Sequence, residues 1–354
     1  MRYLGIDCAQ LTHAFCLLDE SKRVLVEGSF PETQTGVAEL RAQLAPYGEP
    51  QAVTMEATGN CWQNLQAAFQ SFGWPVAAVD PVRARRFAQL RHPRHKTDKA
   101  DARSLAEMGL APERASFPAS EAETQARALS RVVETRVRAS GQLHALVVLA
   151  NPALVACGWE LGAPRSLAVL RRYPTTLHLR RARSLAQVRF GPRQKVGKQE
   201  AETLRQAARE ALCGAVFAAH GEEIRFLAAH LATCNREIAR LEAELRQRLP
   251  EAARLEAIPG VGSRTALVVC ACLPWPQLKS PKQAAAYAGV HPHRFESNGR
   301  FRTRLSKQGD VVVRTALYRA AFPASQHNPV LRAFYQRLRE KGLTHRQALC
   351  AVAH

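Results

Sequence analysis

The chain has 354 residues, 46% of them apolar, enough for two or three domains of roughly 100–200 residues with real cores. Lys and Arg number 50 against 30 Asp and Glu, a formal net charge of +20, which makes nucleic acid the leading partner ahead of an anionic membrane surface. No run of about 20 apolar residues and no signal-peptide layout is present, which argues against a membrane span and for a cytoplasmic protein.

Residues 1–110 alternate strand and helix patterns. Strands rich in Val, Leu, Ile and Phe are predicted near 2–7, 13–18, 23–30, 52–56 and 75–79, and helices near 35–45, 60–72, 82–91 and 98–109. The first three strands follow one another through short polar turns, so the order β-β-β-α-β-α-β-α predicts an α/β domain, a mixed sheet with helices on its faces. Residues 112–250 read as mostly helical and Arg-rich. Leu227, Leu231, Cys234, Ile238, Leu241 and Leu245, extended by Leu249, alternate spacings of four and three, an a/d seam able to pair within or between chains or to lie on an ordinary core. The stretch Tyr173 to Lys198, with Pro, Gly and many basic residues, reads as a loop or hinge. Residues 251–354 form a third, mainly helical unit, giving expected divisions at 1–115, 116–250 and 251–354.

The nine cysteines are odd in number, lack a Cys-x-x-Cys pair and lie in apolar segments, which predicts reduced, mostly buried thiols. Cys270 and Cys272 sit in an apolar run that suits core packing rather than zinc.

Four acidic residues stand at predicted element boundaries. Asp7 ends the run Tyr-Leu-Gly-Ile, and Glu56 ends Ala-Val-Thr-Met before the small turn Ala-Thr-Gly. Asp98 and Asp101 open a helix at i, i+3 and so share one of its faces. Each alone reads as a surface carboxylate or helix-dipole partner. Together they offer the all-oxygen donor set that two Mg²⁺ ions about 4 Å apart require. Arg83, Arg85, Arg86, Arg91, Arg94 and Lys96 precede the acid pair and suit phosphate contacts, although a solvated basic helix face has the same composition.

In the last third, Ile258-Pro-Gly-Val-Gly-Ser resembles a helix-hairpin-helix turn, with Gly260 and Gly262 letting backbone N–H groups face a phosphate; a plain helix–helix turn fits equally. The segment His291 to Gly299 is polar and turn-like. It contains Ser297, followed by Arg300, Arg302, Arg304 and Lys307. A serine followed by Asn-Gly and next to several arginines suits attack on phosphorus with guanidiniums stabilising the developing charge. Ser306 is a rival whose setting reads as a helix N-cap.

Taken together these motifs resemble the transposases of the insertion sequence 110 family. The resemblance rests on Tyr3 to Asp7, Val53 to Gly59 and Lys96 to Ala102, then on Ile258 to Gly262, Ala286 to Gly289, Glu296 to Gly299 and Leu305 to Asp310, ending at Arg314. It implies a RuvC-like, RNase H-type N-terminal domain whose tetrad Asp7, Glu56, Asp98 and Asp101 binds Mg²⁺. It implies a C-terminal transposase domain in which Ser297 forms a covalent phosphoserine link to DNA. It further implies donor and target DNA as partners, selection of both by a noncoding bridge RNA, assembly into dimers and tetramers through the helical region, and work at the bacterial nucleoid. Family members often carry Ser or Thr at the position of Asn298 and usually continue beyond His354, which predicts a truncated or naturally short copy.

The expected function is therefore an RNA-guided, Mg²⁺-dependent DNA recombinase with a serine nucleophile. Two alternatives stand beside it: a RuvC-like structure-specific endonuclease using metal-activated water, and a degenerate, non-catalytic nucleic-acid-binding protein.

Overall fold

The computed structural model describes residues 1–59, 61–91, 97–110, 120–297, 300–306 and 309–354, and only the backbone path of residues 91, 293–297 and 300–304. The chain divides into two compact units, Met1–Ala119 and Ser120–His354.

The first unit is a five-stranded mixed sheet. Its strands are β1 (Arg2–Asp7), β2 (Thr12–Asp19), β3 (Val24–Pro31), β4 (Ala52–Glu56) and β5 (Val76–Val79), in the order β3-β2-β1-β4-β5. The meander β1-β2-β3 is antiparallel, while β4 and β5 join parallel to β1 through helical crossovers. Helices α1 (Gln34–Leu44), α2 (Cys61–Ser71), α3 (Pro81–Arg91) and α4 (Asp98–Gly109) complete it. All nine elements fall within two residues of the sequence expectation. On one face Leu4, Ile6, Phe15, Val53 and Met55 pack with Leu40, Leu65 and Phe69 of α1 and α2. On the other, Ala14, Cys16 and Leu18 pack with Ala102 and Ala106 of α4.

The second unit hangs on two long helices, α5 (Glu121–Ala150) and α10 (Gly221–Arg248). They run antiparallel, as the cross-links Glu121–Arg248, Gln125–Glu244 and Arg136–Asn235 show. The leucine seam of α10 is buried from Leu227 to Leu245, and its partner is α5 of the same chain. Two cores form along this pair. One gathers Leu143 and Val147 of α5 and Ile224 to Leu231 of α10 with the helices between them, α6 (Pro152–Ala156), α7 (Pro164–Arg172), α8 (Thr176–Arg180) and α9 (Lys198–Glu210). The other gathers Ala126 to Val133 and Ile238 to Leu245 with α11 (Ala252–Glu256), α12 (Ser263–Cys272), α13 (Pro281–Ala288) and α14 (Val311–His327). A hairpin of β6 (Pro292–Ser297) and β7 (Arg300–Leu305) joins α13 to α14, and α15 (Pro329–Glu340) and α16 (His345–Ala353) follow.

Three expectations change. Tyr173 to Lys198 is largely loop, as expected, but it is no free hinge: it contains α8 and buries Leu179, Leu185, Val188 and Val196, so its basic density conceals a packed cap. His291 to Ser297 is largely a hairpin strand rather than a turn; Asn298 and Gly299 lie outside the described residues. None of the nine cysteines forms a disulfide, as expected, but only Cys16, Cys234 and Cys272 are buried and the other six are half-buried, because most lie at element edges. Among the described residues no helix is long and apolar enough to cross a membrane.

Candidate active site

In the first unit the backbone collects all four acids at one sheet edge. β1 and β4 are parallel with Ile6 opposite Met55, so Asp7 and Glu56 are neighbours at the carboxyl ends of adjacent strands. Alternation along each strand decides the face. Gly5 lies against Ala102 and Ala106 of α4, and Thr54 and Tyr3 lie against Gly109 at its far end. Asp7 is two residues on from Gly5 and Glu56 two on from Thr54, so both belong to the α4 face. Since Gly109 sits beside Tyr3 while Ala102 sits beside Gly5, α4 runs antiparallel to β1. Its first turn, carrying Asp98 and Asp101, thus lies at the edge where Asp7 and Glu56 end.

The start of α4 is fixed by Thr97, whose hydroxyl accepts from the Ala100 N–H at 3.2 Å. Asp98 and Asp101 follow in the first turn, where the helix macrodipole favours negative charge. The Thr58 hydroxyl donates to the Glu56 carboxylate. The donor chemistry fits a hard divalent cation. The side chains themselves are not drawn together: among the described residues no group of three or more His, Cys, Asp or Glu is close enough to hold a metal. Burial first, then Asp7, Cys61 and Glu56, push the Cys8 thiol up to about 12.

Arg83, Arg85 and Arg86 are exposed on α3, and Arg91 ends that helix; Arg94 and Lys96 lie outside the described residues.

Two residues near this edge escaped sequence reasoning. His13 on β2 is fully buried, and its Nδ1 accepts the Ala9 N–H at 3.2 Å. That leaves Nε2 to carry the proton, 3.9 Å from the half-buried Glu32, which also accepts from Asn64 at 3.0 Å. The only warning in the sequence is a histidine inside an apolar strand. Burial lowers the His13 pKa, against a smaller opposing pull from Glu32. The unfolded chain therefore takes up the proton first as pH falls. The stability from the neutral ring is complete above about pH 6.5 and declines below it. In urea unfolding the wild type should lose more stability between pH 7 and pH 5 than His13→Phe does; equal losses would refute this.

In the second unit Ser297 ends β6 in register with Arg300, the first residue of β7. Arg300, Arg302 and Arg304 occupy one parity of β7, opposite Ser297, Phe295 and His293. Lys307 lies outside the described residues. The base of the hairpin is tied by the Ser306 N–H donating to the His291 carbonyl at 3.0 Å. Ser306 is not a helix N-cap: Asp310 caps α14, accepting from Val312 and Val313 at 2.8 and 3.0 Å. Asp310 also pairs with Arg127 of α5, which bonds Glu123 at 2.7 Å, and its own N–H donates to the Tyr287 carbonyl at 2.7 Å. Burial opposes the Arg127 charge, but Asp310 and Glu123 outweigh it and raise the guanidinium above its ordinary value.

Gly260 has φ +99° and lies against α14, where an added Cβ would stand 2.3 Å from the Ala324 Cα; its missing side chain is a packing requirement. Gly262, just before α12, faces open space.

A family model described as a transposase, of the DEDD type of IS110 elements, matches residues 4–152, which include the four acids. A second, described as a transposase of the IS116/IS110/IS902 family, matches residues 252–336, which include the serine hairpin. The chain belongs to the IS110 family of transposases. It also aligns with the insertion element IS110 uncharacterized 43.6 kDa protein of Streptomyces coelicolor, 23% identical, over 99% of this chain and 91% of that protein. Transposase membership implies DNA as partner and, through the DEDD domain, dependence on a divalent metal.

Proposed function

We propose that this IS110-family transposase is a Mg²⁺-dependent recombinase in which an RNase H-like first domain, residues 1–115, serves a serine nucleophile in a transposase domain, residues 251–354. The observation that carries the reading is the backbone placement of the ends of β1 and β4, bearing Asp7 and Glu56, and of the first turn of α4, bearing Asp98 and Asp101, at one sheet edge, built from three separate sequence segments. These four would hold the metal, probed as two Mg²⁺ ions, which when bound supplies positive charge at the reacting phosphodiester. The rest falls to the chain. The Ser297 hydroxyl oxygen bonds to phosphorus, its proton passes to solvent, and the bond from phosphorus to one deoxyribose oxygen breaks. The phosphodiester count is conserved, so a freed DNA hydroxyl reverses the exchange without external energy. Three arginines in register opposite β6 support charge stabilisation on the hairpin.

A noncoding bridge RNA pairing with donor and target would supply the sequence choice, and self-association into dimers or tetramers would bring the two centres together. Arg83, Arg85, Arg86, Arg91, Arg94 and Lys96, which precede Asp98 in the sequence, and Gly260, Gly262, Arg300, Arg302, Arg304 and Lys307, in the last third of the chain, would contact nucleic acid. Work at the nucleoid follows from this substrate.

The test is a denaturing gel of protein incubated with guide RNA, Mg²⁺ and cognate DNA. A covalent protein–DNA adduct should appear and be absent with Ser297→Ala. DNA cleavage that survives Ser297→Ala but not Asp7→Asn would replace this reading with a metal-dependent nuclease. Strand exchange undiminished without RNA would remove the guide.

A further inference from the structure

Between Glu160 and Glu200 the sequence holds no acidic residue, yet it holds ten Lys and Arg. This stretch lies between the two family matches, which end at residue 152 and resume at 252. It is the packed cap of α7, α8 and the start of α9, with Leu167, Leu170, Leu179, Leu185 and Val196 turned into the core. With the apolar side chains inside, the cations are left outside. Among the described residues only Arg165 of the ten has a carboxylate partner, Glu200; the other nine are exposed.

The nearby acids of α9 do not neutralise them. Glu200 is taken by Arg165, Glu202 pairs with Arg205 at 3.2 Å, and Glu210 accepts from Gln206. Three of the cations are held close in one tight turn: Arg189 and Lys195 are bridged across it and Arg193 lies within it, closed by the Phe190 N–H donating to the Gln194 carbonyl at 3.1 Å. Arg180 is fixed by donating to the Ala208 and Ala211 carbonyls, both at 2.7 Å, at the end of α9. Arg183 abuts the same helix, its carbonyl accepting from Arg205. The field also reaches His178, whose pKa is lowered by burial first and then by Arg225 and Arg181.

Exposed cations without carboxylate partners match a polyanion. The cap does not offer stacking platforms: Tyr173 and Phe190 are half-buried, and Trp159 is covered by the Arg165 guanidinium at 4.0 Å. Recognition of single strands and of RNA loops relies on exposed rings, whereas duplex DNA presents a dense phosphate ladder that charge alone engages.

We propose that the cap at residues 161–199 is a docking surface for the backbone of duplex DNA, read without regard to sequence and built from a sequence segment other than those that carry the four acids and the serine hairpin. The proposal rests on the reading that the chain acts on DNA, but not on any step of the chemistry.

The test uses the full chain in EDTA, so that no strand exchange occurs, with random-sequence duplex DNA and a salt series followed by fluorescence anisotropy. Replacing Arg181, Arg189, Arg193 and Lys195 together by Gln should make the slope of log affinity against log salt shallower by about 3 to 4, near 0.9 per phosphate contact. The charge reversal Arg193→Glu with Lys195→Glu, at two exposed turn positions that support no core, should also weaken binding, whereas replacement of the three arginines by Lys should retain it. Unchanged affinity and slope in the reversal overturn the proposal, as does a loss confined to structured RNA or single-stranded DNA. Because the readout is binding without metal, an inert Ser297 leaves this result standing, and a failure here leaves the adduct assay untouched.

Discussion

Gly5→Ala will unseat α4 from the sheet. The added Cβ would stand 2.0 Å from the Ala102 carbonyl oxygen and 2.3 Å from the Ala106 nitrogen. Both are backbone atoms inside a helix, so no side-chain rotation relieves the clash, and carbon contacts are comfortable only from about 3.5 Å. Either α4 lifts or β1 bends. Overpacking of this kind costs about 3 kcal/mol. It acts on the element that carries Asp98 and Asp101, so stability and metal-dependent activity should fall together. Urea unfolding of the first unit and Mg²⁺ titration of strand exchange read the two effects. A variant as stable as the wild type would show that the approach of α4 to β1 is looser than described. Gly141 is the natural control, since it lies in the middle of α5 with nothing within 4 Å of an added Cβ.

Arg127→Met should destabilise the second unit by about 3–5 kcal/mol, the usual cost of removing one partner of a buried ion pair. Arg127 is 28% exposed and Asp310 only 7%, so solvent does little to screen what remains. The substitution would leave Asp310 and Glu123 facing each other without the cation between them, at the residue that caps α14 and follows the hairpin. Arg127→Lys keeps a charge but loses the fork that reaches both carboxylates, and should fall between the two. Chemical denaturation measures the series. A loss below about 1 kcal/mol would place the pair with ordinary solvated surface bridges.

The first unit was legible because each of its elements is bounded by its own residues. Short apolar runs end at Asp7 and Glu56, and Thr97 caps a helix directly before Asp98, so one-dimensional signals located the edge on which the acids sit. The register that places Asp7 beside Glu56 was not readable, since a parallel pairing across about fifty residues leaves no local mark. The same holds for the contact between Arg127 and Asp310, 183 residues apart. In the stretch from Tyr173 to Lys198, Pro, Gly and Arg announced the loop but not its packing, because they normally signal exposed chain. Its leucines and valines are spaced too irregularly to announce a helix, and only the α5–α10 pair gives them something to pack on. The capping role went to Asp310 rather than Ser306 because the hairpin runs on to Leu305, which delays the helix.

The antiparallel pair α5 and α10 has one more consequence. Its helices, of 30 and 28 residues, span about 45 and 42 Å at 1.5 Å per residue. The Arg-rich cap is built on one end of that spine, and Leu305 at the base of the serine hairpin packs with the core on the other. The pair is therefore a ruler. DNA gripped at the cap and DNA at the hairpin would be held a fixed interval apart by this pair. The interval would be set by the number of helical turns rather than by anything written in the DNA.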